Sequence, residues 1–183
     1  VEVEAEPAGP EFVVPFAEQW AASPHADASA EAFVHWDEDD PAEVPTSCAK
    51  CHSTPGFQDF VGVDGSEAGV VDAAAPIGTT VECEACHNEA TQTLTTVTMP
   101  SGVVLTELGT EARCMTCHQG RNSTVQVNEG IAEAGLGEGD EDTVSEEVGF
   151  SNIHYYAAAA TQYGTAAMGG YEYDGKAYDG KFD

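Results

Sequence analysis

The sequence predicts a small, mostly irregular fold of short α-helices and one β-hairpin, wrapped around covalently held groups in place of a conventional apolar core. Three observations lead there. The 183 residues favour a single domain, yet they hold only four leucines and three isoleucines, and much of the apolar content is alanine and valine. All six cysteines fall in three copies of one five-residue motif. The segments between the motifs are short runs punctuated by glycine and proline. A core of that quality is marginal without help, and bound groups would supply the missing apolar surface and make folding depend on their insertion.

The elements follow in order, within one domain spanning 1–183. Residues 1–22 are acidic and read as an extended lead-in, anchored by the apolar patch Phe12-Val13-Val14-Pro15-Phe16. Ser23-Pro24 resembles an N-cap with proline at the first helical position, which predicts a helix from His25 to Trp36 ended by the acidic run Asp37–Asp40 and Pro41. Residues 45–65 carry the first motif and a loop with Gly56, Gly62 and Gly65, and the small residues from Ala68 to Ala75 lead to the second. The stretch Thr91–Leu108 is β-branched and broken by Pro100-Ser101-Gly102, a hairpin pattern. Thr110 can cap a short helix bearing the third motif. Val127, Ile131 and Ala134 recur at helical spacing. An acidic loop follows over Gly135–Glu147, then a last helix from Asn152 to Tyr163 stopped by Gly164. Residues 165–183 form a Tyr/Gly-rich extension with the near-repeat Tyr173-Asp174-Gly175-Lys176 and Tyr178-Asp179-Gly180-Lys181, which reads either as a polar tail or as a segment that packs on a neighbouring subunit.

The motifs are Cys48-Ala49-Lys50-Cys51-His52, Cys83-Glu84-Ala85-Cys86-His87 and Cys114-Met115-Thr116-Cys117-His118. Two thiols three residues apart in a tight turn can each form a thioether to one porphyrin vinyl group, and the next residue then lies beneath the iron, where imidazole becomes an axial ligand. Zinc would need the Cys-x-x-Cys units in pairs, and three units do not divide into four-cysteine sites. A disulfide framework would not need the three histidines. The motifs therefore predict three covalently attached c-type haems. Three further histidines, His25, His35 and His154, match in number the three remaining axial positions, which predicts bis-histidine coordination of low potential. On one helix, His25 and His35 would lie about 15 Å apart along the axis and serve different haems. Arg113 and Arg121 flank the third motif and are shaped for bidentate pairing with haem propionates; Lys50, inside the first motif, is the weaker candidate.

Thirty-three acidic residues against five basic ones, a formal net charge of −28, argue against nucleic acid and anionic lipid as partners. The acidity fits a salty medium or solvated surface. Ca2+ binding by Asp37–Asp40 or Glu138–Asp142 is the alternative, although neither matches the spacing of a helix–loop–helix calcium site. No stretch approaches the roughly 20 apolar residues of a membrane span. The opening Val1–Glu6 lacks the marks of a signal peptide and reads as a processed N-terminus, with export implied by haem attachment outside the cytoplasmic membrane.

Repeated Cys-x-x-Cys-His motifs with matching spare histidines, over residues 25–154, resemble the multihaem c-type cytochromes. The short gaps of 35 and 31 residues between successive motifs resemble those cytochromes whose haems stack in a closely spaced chain. The resemblance extends to extracellular members that polymerise into filaments, the cytochrome nanowires. It implies an electron carrier without substrate chemistry, outside the cell or at its surface, whose partners are further copies of itself and redox cytochromes or extracellular acceptors. A monomeric periplasmic shuttle is the alternative, and an oxidoreductase with an open haem is a more distant one. Small periplasmic triheme shuttles are usually lysine-rich, and this acidic chain departs from that pattern.

Overall fold

The computed structural model describes residues 13–173 and 175–182. Residues 1–12, with Phe12 of the apolar patch, lie outside them, as does Asp174 of the near-repeat. The lead-in carries a short helix, α1 (Ala17–Ala21). Its tie to the body is Trp20, whose indole N–H donates to the Val81 carbonyl at 2.9 Å, while Val13 and Phe16 are exposed.

The helix expected from His25 to Trp36 is a correction: only α2 (Glu31–Val34) is helical. The Asp27 carboxylate accepts from both the Ser29 backbone N–H and its hydroxyl, at 3.0 and 2.6 Å, and the Ala30 N–H turns back to the Asp27 carbonyl. These local bonds compete with a helical ladder and postpone its start. His25 therefore sits in a turn and His35 just past α2, so the two do not share a helix axis.

A strand pair that no alternation signals follows: β1 (Glu43–Val44) runs antiparallel to β2 (Ala75–Pro76), with Val44 facing Ala75. Between them lie α3 (Thr46–His52) and α4 (Thr54–Phe60), which pack closely. Ser53 joins the two, accepting from the Gly56 N–H and donating to the Ala49 carbonyl, each at 3.0 Å. Gly56 lies directly against Ala49, leaving no room for a side chain. The buried Asp59 carboxylate organises the following loop, accepting from the Ser66 hydroxyl and the Asp72 N–H, both at 3.0 Å.

The second motif forms α5 (Cys83–Cys86), and α6 (Glu89–Thr93) starts on a reciprocal cap between Asn88 and Thr91. The hairpin is present but shorter than expected, because residues 89–93 are helical. It pairs β3 (Val97–Thr98) with β4 (Val104–Leu105), and Gly102, at φ 85, makes the turn. Then come α7 (Glu111–His118), carrying the third motif, and α8 (Thr124–Glu133). The last helix, α9 (Ala158–Ala167), begins later than predicted; at Gly164, the expected stop, the backbone leaves helical geometry with φ 37, and a further helical piece follows the kink to Ala167. Glycine is required there because the tail returns onto α9: the N–H groups of Thr165 and Ala166 donate to the carbonyls of Asp179 and Gly180, and an added Cβ would overlap the Asp179 carbonyl.

The predicted fold class holds, with short helices, two small antiparallel sheets and much irregular chain. Two apolar clusters form. The larger gathers Val97, Met99, Leu105, Leu108, Ala112 and Met115 with the alanines of α9; the smaller holds Trp36, Val44, Ala49 and Ala75. Met99 and Met115, at 2% and 4% exposure, serve as packing in the first.

Candidate haem centre

Each motif forms one turn of helix, so its two cysteines and following histidine come from a compact backbone segment. Two of the three motif histidines are oriented by the backbone. His52 donates from Nδ1 to the Ala32 carbonyl at 2.9 Å, and His118 donates from Nδ1 to the Tyr156 carbonyl at 3.0 Å. Such a bond fixes the tautomer and leaves Nε2 as the lone-pair donor that a metal takes.

Rings from distant chain segments approach those two histidines. The centroids of His52 and His154 are 5.8 Å apart, and those of His25 and His118 are 6.1 Å apart. Two imidazoles on opposite sides of one metal, each bonded at about 2.0 Å, stand about 6 Å apart between centroids. The angle between two such planes is free, since both contain the ligand axis; here the angles are 75° and 53°. Burial holds His25, His52 and His154 below the ordinary histidine range, with His118 beside the first and Arg121 beside the last adding to it. The neutral imidazole is the form that ligates. A cavity of about 780 Å³, lined by His118, Ile153, His154, Tyr156, Ala157 and Phe182 among others, lies within the size range of ligand sites, about 300–1,000 Å³. The residues fit a haem: the motif thiols could attach it, the imidazole pairs stand at ligand separation, and the cavity beside His118 and His154 has a largely apolar wall.

His154 is held in place by the loop after the third motif. The Arg121 N–H donates to the Ile153 carbonyl at 3.1 Å, the Asn122 amide to the Asn152 carbonyl at 3.0 Å, and the His154 N–H to the Asn152 side chain at 2.9 Å. His154 and Tyr156 take φ of 85 and 53, a left-handed conformation that costs non-glycine residues about 1–3 kcal/mol and persists where neighbours over-determine it. Gly120 permits the approach: at φ +80, an added Cβ would stand 2.6 Å from the Ile153 carbonyl. Gly120→Ala is expected to displace residues 152–156 and cost about 1–3 kcal/mol. Thermal unfolding together with the low-spin fraction of the holoprotein checks it; an unchanged spectrum and midpoint would contradict this role.

The remaining predicted residues are placed differently. His87 and His35 are both exposed, and among the described residues no histidine ring pairs with that of His87. His35 stacks edge-on with Trp36 at 4.9 Å, and Trp36 in turn with His52 at 5.3 Å, so His35 stands at the first motif. Its Nδ1 donates to Glu31 at 2.9 Å. Arg113 donates from Nη1 to the Cys86 carbonyl at 2.8 Å, linking the third motif to the second, and its Nε is buried without a partner among the described residues. Arg121 lies close enough to His52 and His154 to depress both. Lys50 sits 4.9 Å over the Phe60 ring. Sequence reasoning missed the closeness of the first and third motifs: Cys117 Sγ is 3.5 Å from the Lys50 carbonyl, and Cys51 Sγ is 3.8 Å from the Cys117 carbonyl. Nothing in the spacing signals it. Among the described residues no group of three or more His, Cys, Asp or Glu is arranged to hold a bare metal ion, so Ca2+ finds no support at residues 37–40 or 138–142.

Helical attachment turns with backbone-oriented histidines, together with the family match below, support a c-type cytochrome with more than one haem that transfers electrons. Residues 31–119, just under half of the chain but including all three motifs, match the family model of cytochrome c7 and related cytochrome c. Proteins of that family are electron carriers in general, and they are periplasmic or extracellular. No curated protein and no solved structure matches the chain. Among the described residues no helix is long and apolar enough to cross a membrane.

Proposed function

We propose that the chain holds three haems, one per motif, and works as the repeating subunit of an extracellular electron-conducting filament. His154 completes the first haem with His52, and His25 completes the third with His118. The second haem has His87 on one side and takes its other ligand from His35 of another copy. The observation that carries this reading is the pair of exposed, unmatched imidazoles, His87 at the second motif and His35 beside the first. The Glu31 bond fixes the His35 tautomer with Nε2 free, as metal-binding histidines require. A donor and an acceptor at different places on one molecule make a head-to-tail contact, which propagates as an open fibre where the rotation does not close a ring.

When bound, haem supplies reversible one-electron chemistry at iron. The chain's own imidazoles would hold each iron, leaving no site open to substrate, and the largely apolar wall beside His118 and His154 would shield a porphyrin from water. The formal charge of −28 opposes close approach of copies, so added salt, by shortening the screening length to below about 8 Å, favours assembly.

The test is His35→Ala, examined by negative-stain microscopy and visible or paramagnetic-resonance spectra. Wild-type protein is expected as filaments with low-spin irons; the variant is expected as isolated particles with about one haem in three high-spin. Filaments of unchanged length from His35→Ala, or wild-type particles that stay monomeric at every salt concentration, would sink the proposal.

A further inference from the structure

We infer that the third attachment turn is the middle of the relay, so that electrons pass between the first and second haems by way of the third, out of the order in which the motifs occur along the chain. The inference rests on the three-haem reading above.

The third turn touches both of the others, the first by thiol–carbonyl contacts and the second by the Arg113 side chain. Toward the first, the contact is reciprocal: the Cys117 thiol reaches the Lys50 carbonyl at 3.5 Å and the Cys51 thiol reaches the Cys117 carbonyl at 3.8 Å. Toward the second, Arg113, the residue before Cys114, donates to the Cys86 carbonyl at 2.8 Å. The ring pairs follow the same order. His154, beside His52 of the first motif, is clamped by residues 121–122 just after the third. His25, beside His118 of the third motif, is pinned through its carbonyl by the N–H of Val81, two residues before the second motif, at 3.1 Å. Each ligand pair is thus braced by the next turn in the series first, third, second. Cys51 and Cys86 line one small cleft with Cys117, but among the described residues the hydrogen bonds between the first and second segments are made by flanking residues, with Thr54 bonded to Thr80 and Glu82.

Each hop moves one electron: one iron passes from ferrous to ferric as its neighbour passes from ferric to ferrous, with no bond made or broken. The electron enters from and leaves to one-electron redox proteins at the two ends.

Because interaction between charges falls with separation, the pairwise redox couplings report the order of the irons. The holoprotein is weighed first, to count haems, and then titrated stepwise while haem methyl resonances are followed by NMR. His154→Met and His25→Met assign the first and third haems by the shift of one set of resonances each. Reduction of the third haem is expected to move the midpoints of the other two by more than those two move each other. Arg113→Lys, which removes the planar contact to Cys86, is expected to change the second–third coupling and leave the first–third coupling as it was. A mass below three haems overturns the reading and the order together. Three haems with a first–second coupling equal to or larger than either of the others overturns the order alone, as does an equal change of both couplings in Arg113→Lys.

Discussion

His154→Ala is expected to cost the protein about a third of its low-spin haem signal, all of it from the first motif, and His25→Ala the same share from the third. The expectation comes from the two ring pairs, at 5.8 and 6.1 Å, which suit imidazoles on opposite faces of one iron. Each variant removes one ring of one pair and leaves the other pair in place, since the segments carrying His25 and His154 are held by different bonds, the former by Val81 and the latter by Arg121 and Asn122. Methionine in place of either histidine would raise the potential of the same haem, because thioether favours the reduced iron. Paramagnetic-resonance spectra read the spin change and a redox titration reads the shift. If His154→Ala left every iron low-spin and unshifted, the assignment of His154 would fail. A change spread evenly over all haems would equally contradict the pairing.

The second large effect belongs to a residue that touches no haem. Gly56→Ala is expected to lower stability by about 1–3 kcal/mol, the usual cost of overpacking, and toward the upper end because the obstruction is backbone. The new methyl group would overlap the Ala49 carbonyl and lie 2.5 Å from its Cβ, and Ala49 is wholly buried between Cys48 and Lys50. Relief requires α3 and α4 to separate, which shifts the first attachment turn and weakens the Ser53 bridge between them. The holoprotein should unfold at lower temperature and lose its low-spin ligation first at that motif. Gly130 supplies the contrast: it lies inside α8 with open space around its α-carbon, so alanine there should stabilise, by up to about 1 kcal/mol. Equal behaviour of the two variants would show that the contact with Ala49 carries no weight.

What the sequence made legible was whatever local chemistry or a local turn dictates. The attachment motifs are complete within five residues each. The hairpin was readable because Pro100-Ser101-Gly102 announces its own turn. The helix over 25–36 failed because Asp27 offers its carboxylate to Ser29, a local alternative that apolar periodicity does not reveal. The strand pair Glu43–Val44 with Ala75–Pro76 is too short to show alternation, and it exists because α3 and α4 bring its halves together. Gly164 does break the last helix, as its glycine signals, but the later start at Ala158 and the helical piece beyond the kink were not legible, because the returning tail that packs against Gly164 is not a local feature. The candidate ligands could be counted in advance, but their partners could not: His25 and His154 lie in irregular segments whose positions depend on Val81, Arg121 and Asn122.

The two ring pairs also bear on how the molecule matures. Each joins residues about a hundred positions apart, and contacts of that span form late, because the chain must first surrender the entropy of closing a long loop. An emerging chain can present Cys48, Cys51 and His52 for attachment long before Ile153 and His154 arrive to meet them. During that interval a haem on the first motif would have an open face, available to small diatomic molecules or to oxidants. Closure of the His52–His154 pair would therefore mark the arrival of residue 154, and ligand accessibility in pulse-labelled intermediates offers a clock for it.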